Sequence, residues 1–476
     1  MIGESLACKH ILPQITQTVR SASASCSGAG HDTKSVIMPR RFIVHSAVDD
    51  RLHSDYAANL MHFLKRLGTL LISLYTLVVL VTFLSIADQP LSRLGYLPMN
   101  PTLCALLVLA PYAAAGIAAD LVTKSNRFFA LPIARNIAPL GTFLVIVALS
   151  LTHSALPGAF WEEGGKWIFL ICYGFCLSLL ALFIPNRRWF SRVFSVSGVA
   201  TLLLLGWSIY LDISFPGTFA ELGQRPAGFP GNANFSALVA VMICAVSLDY
   251  QPRQGLMRNS LLLIVTGAIV ITTMSRSGAL NFTLLVVTLS YARISESGWS
   301  AREVVKVTTT TAIMIGVCVG LAVGAVITGT ISEETRLGRL LNNKQVDDGS
   351  AGSRLFAVQE SLRLINEAPI LGHGTGHART MRELPHNLYL QQWVNNGLLG
   401  IAALALFFGT TLLTFIKRKF RPGQAFMLVS IFGGIFSHNI LDQRCFLILL
   451  GLVLGMSCYA QRPAIARYSS TARWAP

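Results

Sequence analysis

The sequence predicts an all-α polytopic membrane protein, with about 12 transmembrane helices and one large periplasmic loop that contains an amphipathic helix. Three observations predict it. Hydrophobic residues make up 53% of the chain and charged residues only 13%, where a soluble chain carries roughly 25% charge. Apolar runs of about 20 residues, the length that crosses a bilayer core, recur along the whole sequence. Basic residues cluster in every second loop between those runs, as the positive-inside rule expects.

The net charge of +16 therefore marks topology and not a nucleic-acid footprint. The nine cysteines are scattered and lie mostly inside apolar runs. Cys172 and Cys176 share a helix face, but thiols in such helices are usually small packing residues. Neither a disulfide framework nor a zinc site is expected.

Residues 1–62 are polar, rich in Ser and His, and lack a signal-peptide core. They are expected to form a disordered cytoplasmic tail, and internal methionines at Met38 and Met61 leave room for a later natural start. Residues 63–329 hold transmembrane helices 1–9, at about 67–87, 102–121, 136–154, 166–185, 194–212, 233–249, 259–275, 278–293 and 307–329. Residues 330–387 form the large periplasmic loop. Residues 388–476 hold helices 10–12, at about 388–416, 424–440 and 445–460, and a short cytoplasmic tail. Lys65 and Arg66 precede the first run; Arg187, Arg188 and Arg192 follow the fourth, and Lys417 to Arg421 the tenth. Both termini are thus expected in the cytoplasm.

The long loop has its own pattern. Leu355, Val358, Leu362 and Ile365 fall at helical spacing, and Asn366 to Pro369 stops them. This predicts an amphipathic helix lying at the outer membrane surface. A glycine-rich turn, GHGTGH, follows at 372–377, and the chain re-enters the membrane through HNLYLQQWVNNG.

Three arginines fall on the outer side, where the positive-inside rule disfavours them: Arg225, Arg276 in the MSRSG hairpin, and Arg354. Snorkelling or local pairing would explain any single one. Three together favour a bound anion, because a guanidinium fork matches phosphate oxygens. His386, where the loop meets the tenth run, is the candidate proton-transfer residue; a structural histidine is the commoner meaning of that spacing. Asn387 and the polar run Gln391, Gln392, Asn395 and Asn396 should face a wet cavity or the bundle interior. His373, His377 and His386 could be read as metal ligands, but no carboxylate or cysteine stands at ligand spacing. The turn lacks the Lys-Ser/Thr of a phosphate loop. Its glycines permit a tight turn, with backbone amides near an anion or as a turn alone. His438 and Asn439, with Asp442 and Arg444, lie at the outer end of the last hairpin.

The stretch from Ser353 to Gly400 resembles the core of the O-antigen ligase and polymerase family. Arg354 opens a helix; Pro369, the turn from Gly372 to Gly376, His386 with Asn387, and Gly397 to Gly400 follow in the family's order. FPGNANFSA and the SRSG hairpin also resemble family features. The resemblance implies a metal-independent glycosyltransferase of the bacterial inner membrane, with no cofactor and no nucleic-acid partner. Its donor would be a glycan on undecaprenyl diphosphate, and its acceptor a lipid A-core sugar or another glycan. By resemblance His386 would be the base, and Arg276 and Arg354 would hold the departing diphosphate. Arg225, Asn387, Gly374, Gly376 and His438 would contact substrate. A polymerase using the same donor is the first alternative, and a polysaccharide transporter or flippase the second. A scaffold that has lost activity ranks last.

Overall fold

A computed structural model describes residues 187–215, 217–219, 225–250, 256–296 and 349–460 without 439 and 442, together with scattered positions at 60–87, 141–145 and 301–320. The chain divides into two units, Met1–Thr69 and Leu70–Pro476. In the first, Leu60, Phe63 and Leu67 are helical and exposed. The elements that follow all belong to the second.

Among the described residues there is no strand. The helices are α1 (Arg187–Ser214), α2 (Ala233–Ser247), α3 (Leu256–Thr272), α4 (Arg276–Glu296), α5 (Gly349–Glu367), α6 (Leu388–Lys417), α7 (Arg421–Gly433) and α8 (Arg444–Ala460), with a 3-10 turn at His377–Thr380. Three segments, Arg192–Ser214, Arg276–Ser295 and Leu388–Lys417, are long and apolar enough to cross a membrane. Ala233–Ser247, Met257–Thr272 and Cys445–Leu454 are shorter apolar helices. Apart from isolated helical positions, the expected spans at 102–121, 136–154, 166–185 and 307–329 lie outside the described residues. So do Asn439, Asp442 and nearly all of the 1–62 tail.

The core is built around α2. Its sequence, ANFSALVAVMICAVS, is apolar or small on every face, and such a helix must be surrounded. All of its residues except Asn234 are buried, with α1, α3, α4, α7 and α8 packed around it. Small residues bring the backbones close, as in membrane bundles generally. A Cβ on Gly278 would stand 2.5 Å from Ala237, and one on Gly433 would stand 2.8 Å from Leu238.

These contacts also define two ends. At one, α4 begins beside the start of α2, and α7 finishes there. The Leu388 amide at the start of α6 donates to the Gly434 carbonyl at 2.8 Å, so α6 begins at the same end. The opposite end carries Arg192, Arg258, Arg293 and the run Lys417 to Arg421. There Asp249 and Asn259 exchange two hydrogen bonds, at 2.9 and 2.6 Å. Arg293 donates to the Asp249 carbonyl at 3.4 Å, and Arg258 lies 3.9 Å from the Asp249 carboxylate.

Two local expectations change. The amphipathic helix begins at Gly349, and its expected stripe divides, with Ile365 packed against the protein and the rest exposed. Leu355, Val358 and Leu362 are 60%, 36% and 48% exposed. The protein-facing side is Ala357, Ser361, Leu364 and Ile365, with Leu364 and Ile365 in a small cluster around Val394 of α6. Four-residue steps from Ala357 generate this second face, which carries a serine and an alanine and so reads weakly in sequence. The span expected at 424–440 also ends early: α7 stops at Gly433, and turns occupy the residues that follow.

Candidate active site

The loop after α1 is fastened by one carboxylate. Asp212, only 4% exposed, accepts the amides of Phe219 at 3.0 Å, Ala227 at 2.8 Å and Gly228 at 3.3 Å. Ser208, one turn earlier, accepts the Phe229 amide at 3.2 Å. Asn232 then caps α2, accepting from the Asn234 and Phe235 amides. This sets Arg225, whose Nη1 donates to the Met274 carbonyl at 3.1 Å. Met274 lies in the α3–α4 hairpin, two residues before Arg276. The Ser275 hydroxyl accepts the Gly278 amide and donates to Asn234, so it caps α4 and ties the hairpin to α2. The structure thereby places Arg225 and the exposed Arg276 at one hairpin tip.

The glycine-rich turn is fitted to a break in α6. Gly397 has φ 64 and ψ −162, which kinks the helix there. Left-handed φ values at Gly372, Gly374 and Gly376 fold the turn back over that kink. The His373 and Gly374 amides each donate at 2.9 Å to the carbonyls of Val394 and Asn395, and the Leu398 amide donates to the Pro369 carbonyl at 2.9 Å. A Cβ on Gly397 would stand 2.1 Å from the Ile370 carbonyl oxygen, and one on Gly372 would stand 2.5 Å from that of Asn395. Two glycines that are 25 positions apart in sequence thus form one backbone contact. The polar run completes the joint: Asn395 accepts the Ala378 amide at 2.8 Å, Asn396 accepts from Thr375 at 3.0 Å, and Asn396 donates to Gln392 at 2.7 Å. These side chains hold the turn and do not line an open cavity. Gln391 differs, with a buried Oε1 that has no partner.

The same joint explains two histidines. His373 Nε2 lies 2.8 Å from the Leu364 carbonyl, an acceptor, so this nitrogen carries the proton and is not free for a metal. Its ring stacks on His377 at 4.7 Å. Among the described residues, no group of three or more His, Cys, Asp and Glu could hold a metal ion.

His386 precedes α6, whose N-cap is Asn387: the Asn387 side chain accepts the amides of Tyr389 at 2.9 Å and Leu390 at 3.2 Å. The Tyr389 hydroxyl donates to Ile431 at 2.6 Å, which pins α6 to the end of α7. That fastening brings the His386 and His438 rings to 5.5 Å, tilted by 57°. His386 is exposed overall, yet its pKa is lowered, first by partial desolvation and then by the Arg354 guanidinium, with Glu383 opposing. The imidazole is therefore held in its neutral, proton-accepting form. Burial, followed by the neighbouring His386, pushes His438 down to about 4. Its Nδ1 is buried without a partner. Arg354, in the first turns of α5, acts on His386 through its charge, and Arg382 stacks over Phe356 of the same helix at 5.9 Å.

All the expected site residues thus lie at the end of the bundle away from the basic end, in two described groups. Arg225 and Arg276 share the hairpin tip, and Arg354, His386, Asn387 and His438 share the start of α6. Gly374 and Gly376 belong to the joint beneath them. Sequence reasoning missed Asp212, Ser275 and Glu383. Asp212 had a legible signal, a single carboxylate at the outer end of an apolar run. Glu383, in a polar loop, had none.

Residues 261–405 match the family described as O-antigen ligase. Over that stretch the chain is similar to the family. The matched stretch runs from α3 to the middle of α6 and contains Arg276, Arg354, Gly374, Gly376, His386 and Asn387. Arg225 and His438 lie outside it. The assignment supports a membrane enzyme of the ligase or polymerase kind. No curated protein matches the chain.

Proposed function

We propose that the chain is an O-antigen ligase-like glycosyltransferase. It moves a glycan from undecaprenyl diphosphate to an acceptor hydroxyl on a lipid A-core sugar, at the periplasmic face of the bacterial inner membrane. One observation supports the reading: within the stretch similar to the O-antigen ligase family, the Arg354 charge acts on His386 and helps to lower its pKa, at the bundle end that also holds Arg276.

In this mechanism His386 takes the proton from the acceptor hydroxyl. The oxygen forms a bond to the anomeric carbon as the bond from that carbon to the diphosphate breaks. Direct displacement inverts the anomeric centre. Arg276 and Arg354 meet the charge that gathers on the leaving diphosphate, in place of a metal ion. Arg225 adds a phosphate or glycan contact. Asn387 uses its carbonyl as a cap, which leaves its amide NH2 for substrate. The Gly374 amide is already bonded, so Gly374 and Gly376 serve the substrate through the shape of the turn. His438 offers its unpartnered Nδ1. The positive-inside rule puts the basic end and both termini in the cytoplasm, and the exposed stripe of α5 in the outer interface.

The test is the surface glycan of a strain lacking the gene. Bare lipid A-core with long lipid-linked polymer is the expected result. Core carrying one repeat unit would overturn the ligase reading in favour of a polymerase. Lipid-linked glycan trapped on the cytoplasmic leaflet would point to a flippase.

A further inference from the structure

At the basic end, far along the helices from His386, a cavity of about 460 Å³ opens between α1 and α3. Arg192 and Arg258 stand at it, with Val196, Val199, Ala200 and Leu203 along its wall. The α1 residues recur at steps of three and four, so they form one stripe. From Arg192 to Leu203 the helix rises roughly 16 Å, about half of a hydrocarbon core of about 30 Å. The stripe therefore spans one leaflet, with its cations at the headgroup level and its apolar wall at the level of the acyl chains. The same face continues outward through Trp207 and Tyr210, 53% and 60% exposed, as a lipid-facing side does.

We propose that this groove binds one anionic phospholipid, with its headgroup phosphate against Arg192 and Arg258 and an acyl chain along Val196 to Leu203. Charge decides the occupant. Arg192 is exposed, and Arg258 is 42% exposed at 3.9 Å from Asp249, a weak pair. A lipid with net negative charge satisfies both guanidinium groups, whereas a zwitterionic one brings its own cation. The basic end is also where the positive-inside rule places the more anionic leaflet. The inference is independent of glycan transfer.

Native mass spectrometry of the full-length protein in mild detergent, with equal phosphatidylglycerol and phosphatidylethanolamine, tests it. The expected result is a preference of about tenfold for phosphatidylglycerol. The preference should be lost in the Arg192→Gln/Arg258→Gln double variant and kept in Lys417→Gln, which changes a basic-end residue outside the groove. Leu203→Trp, which fills the groove and leaves the arginines, should also lose the lipid; this second variant covers poor folding of the first. Equal retention of the two lipids, or an unchanged preference in both groove variants, would overturn the proposal. Displacement of the lipid by inorganic phosphate would overturn it too, since it would reveal a phosphate site that does not use the chain.

Discussion

The bundle carries arginines at both ends, and the two sets are held differently. At the basic end, Arg258 and Arg293 converge on Asp249, and Arg421 bonds to Gln424 in its own helix. The Asp249 contacts clamp the ends of α2, α3 and α4. At the other end, Arg225 donates to a hairpin carbonyl, and Arg354 acts on a histidine. The Arg354 charge is felt at His386, where it disfavours the imidazolium. The same residue type thus ties helix ends together at one end of the bundle and stands near a histidine at the other.

The largest expected effect separates the two ends by activity. His386→Ala should lower glycan transfer by roughly 10²–10⁴-fold while protein yield and thermal stability hold. Arg276→Gln and Arg354→Gln should each cost about 10²-fold or more. Lys417→Gln should leave transfer unchanged. Equal losses at both ends, measured with purified protein, would break the comparison.

The next effect is on stability. Gly397→Ala places a methyl group 2.1 Å from a carbonyl oxygen at a left-handed φ, and should cost about 2 kcal/mol or more. Thermal unfolding would read it, and a variant as stable as the parent would remove the joint between turn and kink from the account. Asp212→Asn is expected to cost about 1–3 kcal/mol and to raise the donor KM more than it lowers kcat, because the loop carrying Arg225 loosens. A fall in kcat alone would place Asp212 elsewhere.

The smallest effect concerns pH. The lowered pKa of His386 keeps the base neutral below its ordinary value of about 6.5, so activity should persist into mildly acidic buffer and fall as the imidazole protonates. Arg354→Gln removes a cation that disfavours the imidazolium. The acid limb of kcat/KM should then move to higher pH. A limb that stays put would mean Arg354 does not act on His386.

Much of the bundle was legible in sequence because lipid demands long apolar runs. The spans at 194–212, 259–275, 278–293 and 445–460 fall on α1, α3, α4 and α8. The joint was not legible. LYLQQWVNNGLLG reads as an uninterrupted helix, and only the approach of Ile370 and Gly372, set by folding, shows why Gly397 breaks it. Gln392, Asn395 and Asn396 carried a polar signal that composition alone could not assign to turn or cavity. In the site, residue types pointed to Arg225, Arg276, Arg354 and His386. The pairing of His386 with His438 depends on a turn between α7 and α8 that no local pattern specifies.

The most direct measurement is transfer by purified protein in liposomes, with undecaprenyl-diphosphate-linked glycan and lipid A-core, comparing the parent chain with His386→Ala and Arg354→Gln. The account predicts inverted glycosyl transfer by the parent, and losses of about 10²-fold or more in both variants. Full transfer by His386→Ala at normal protein level would contradict it.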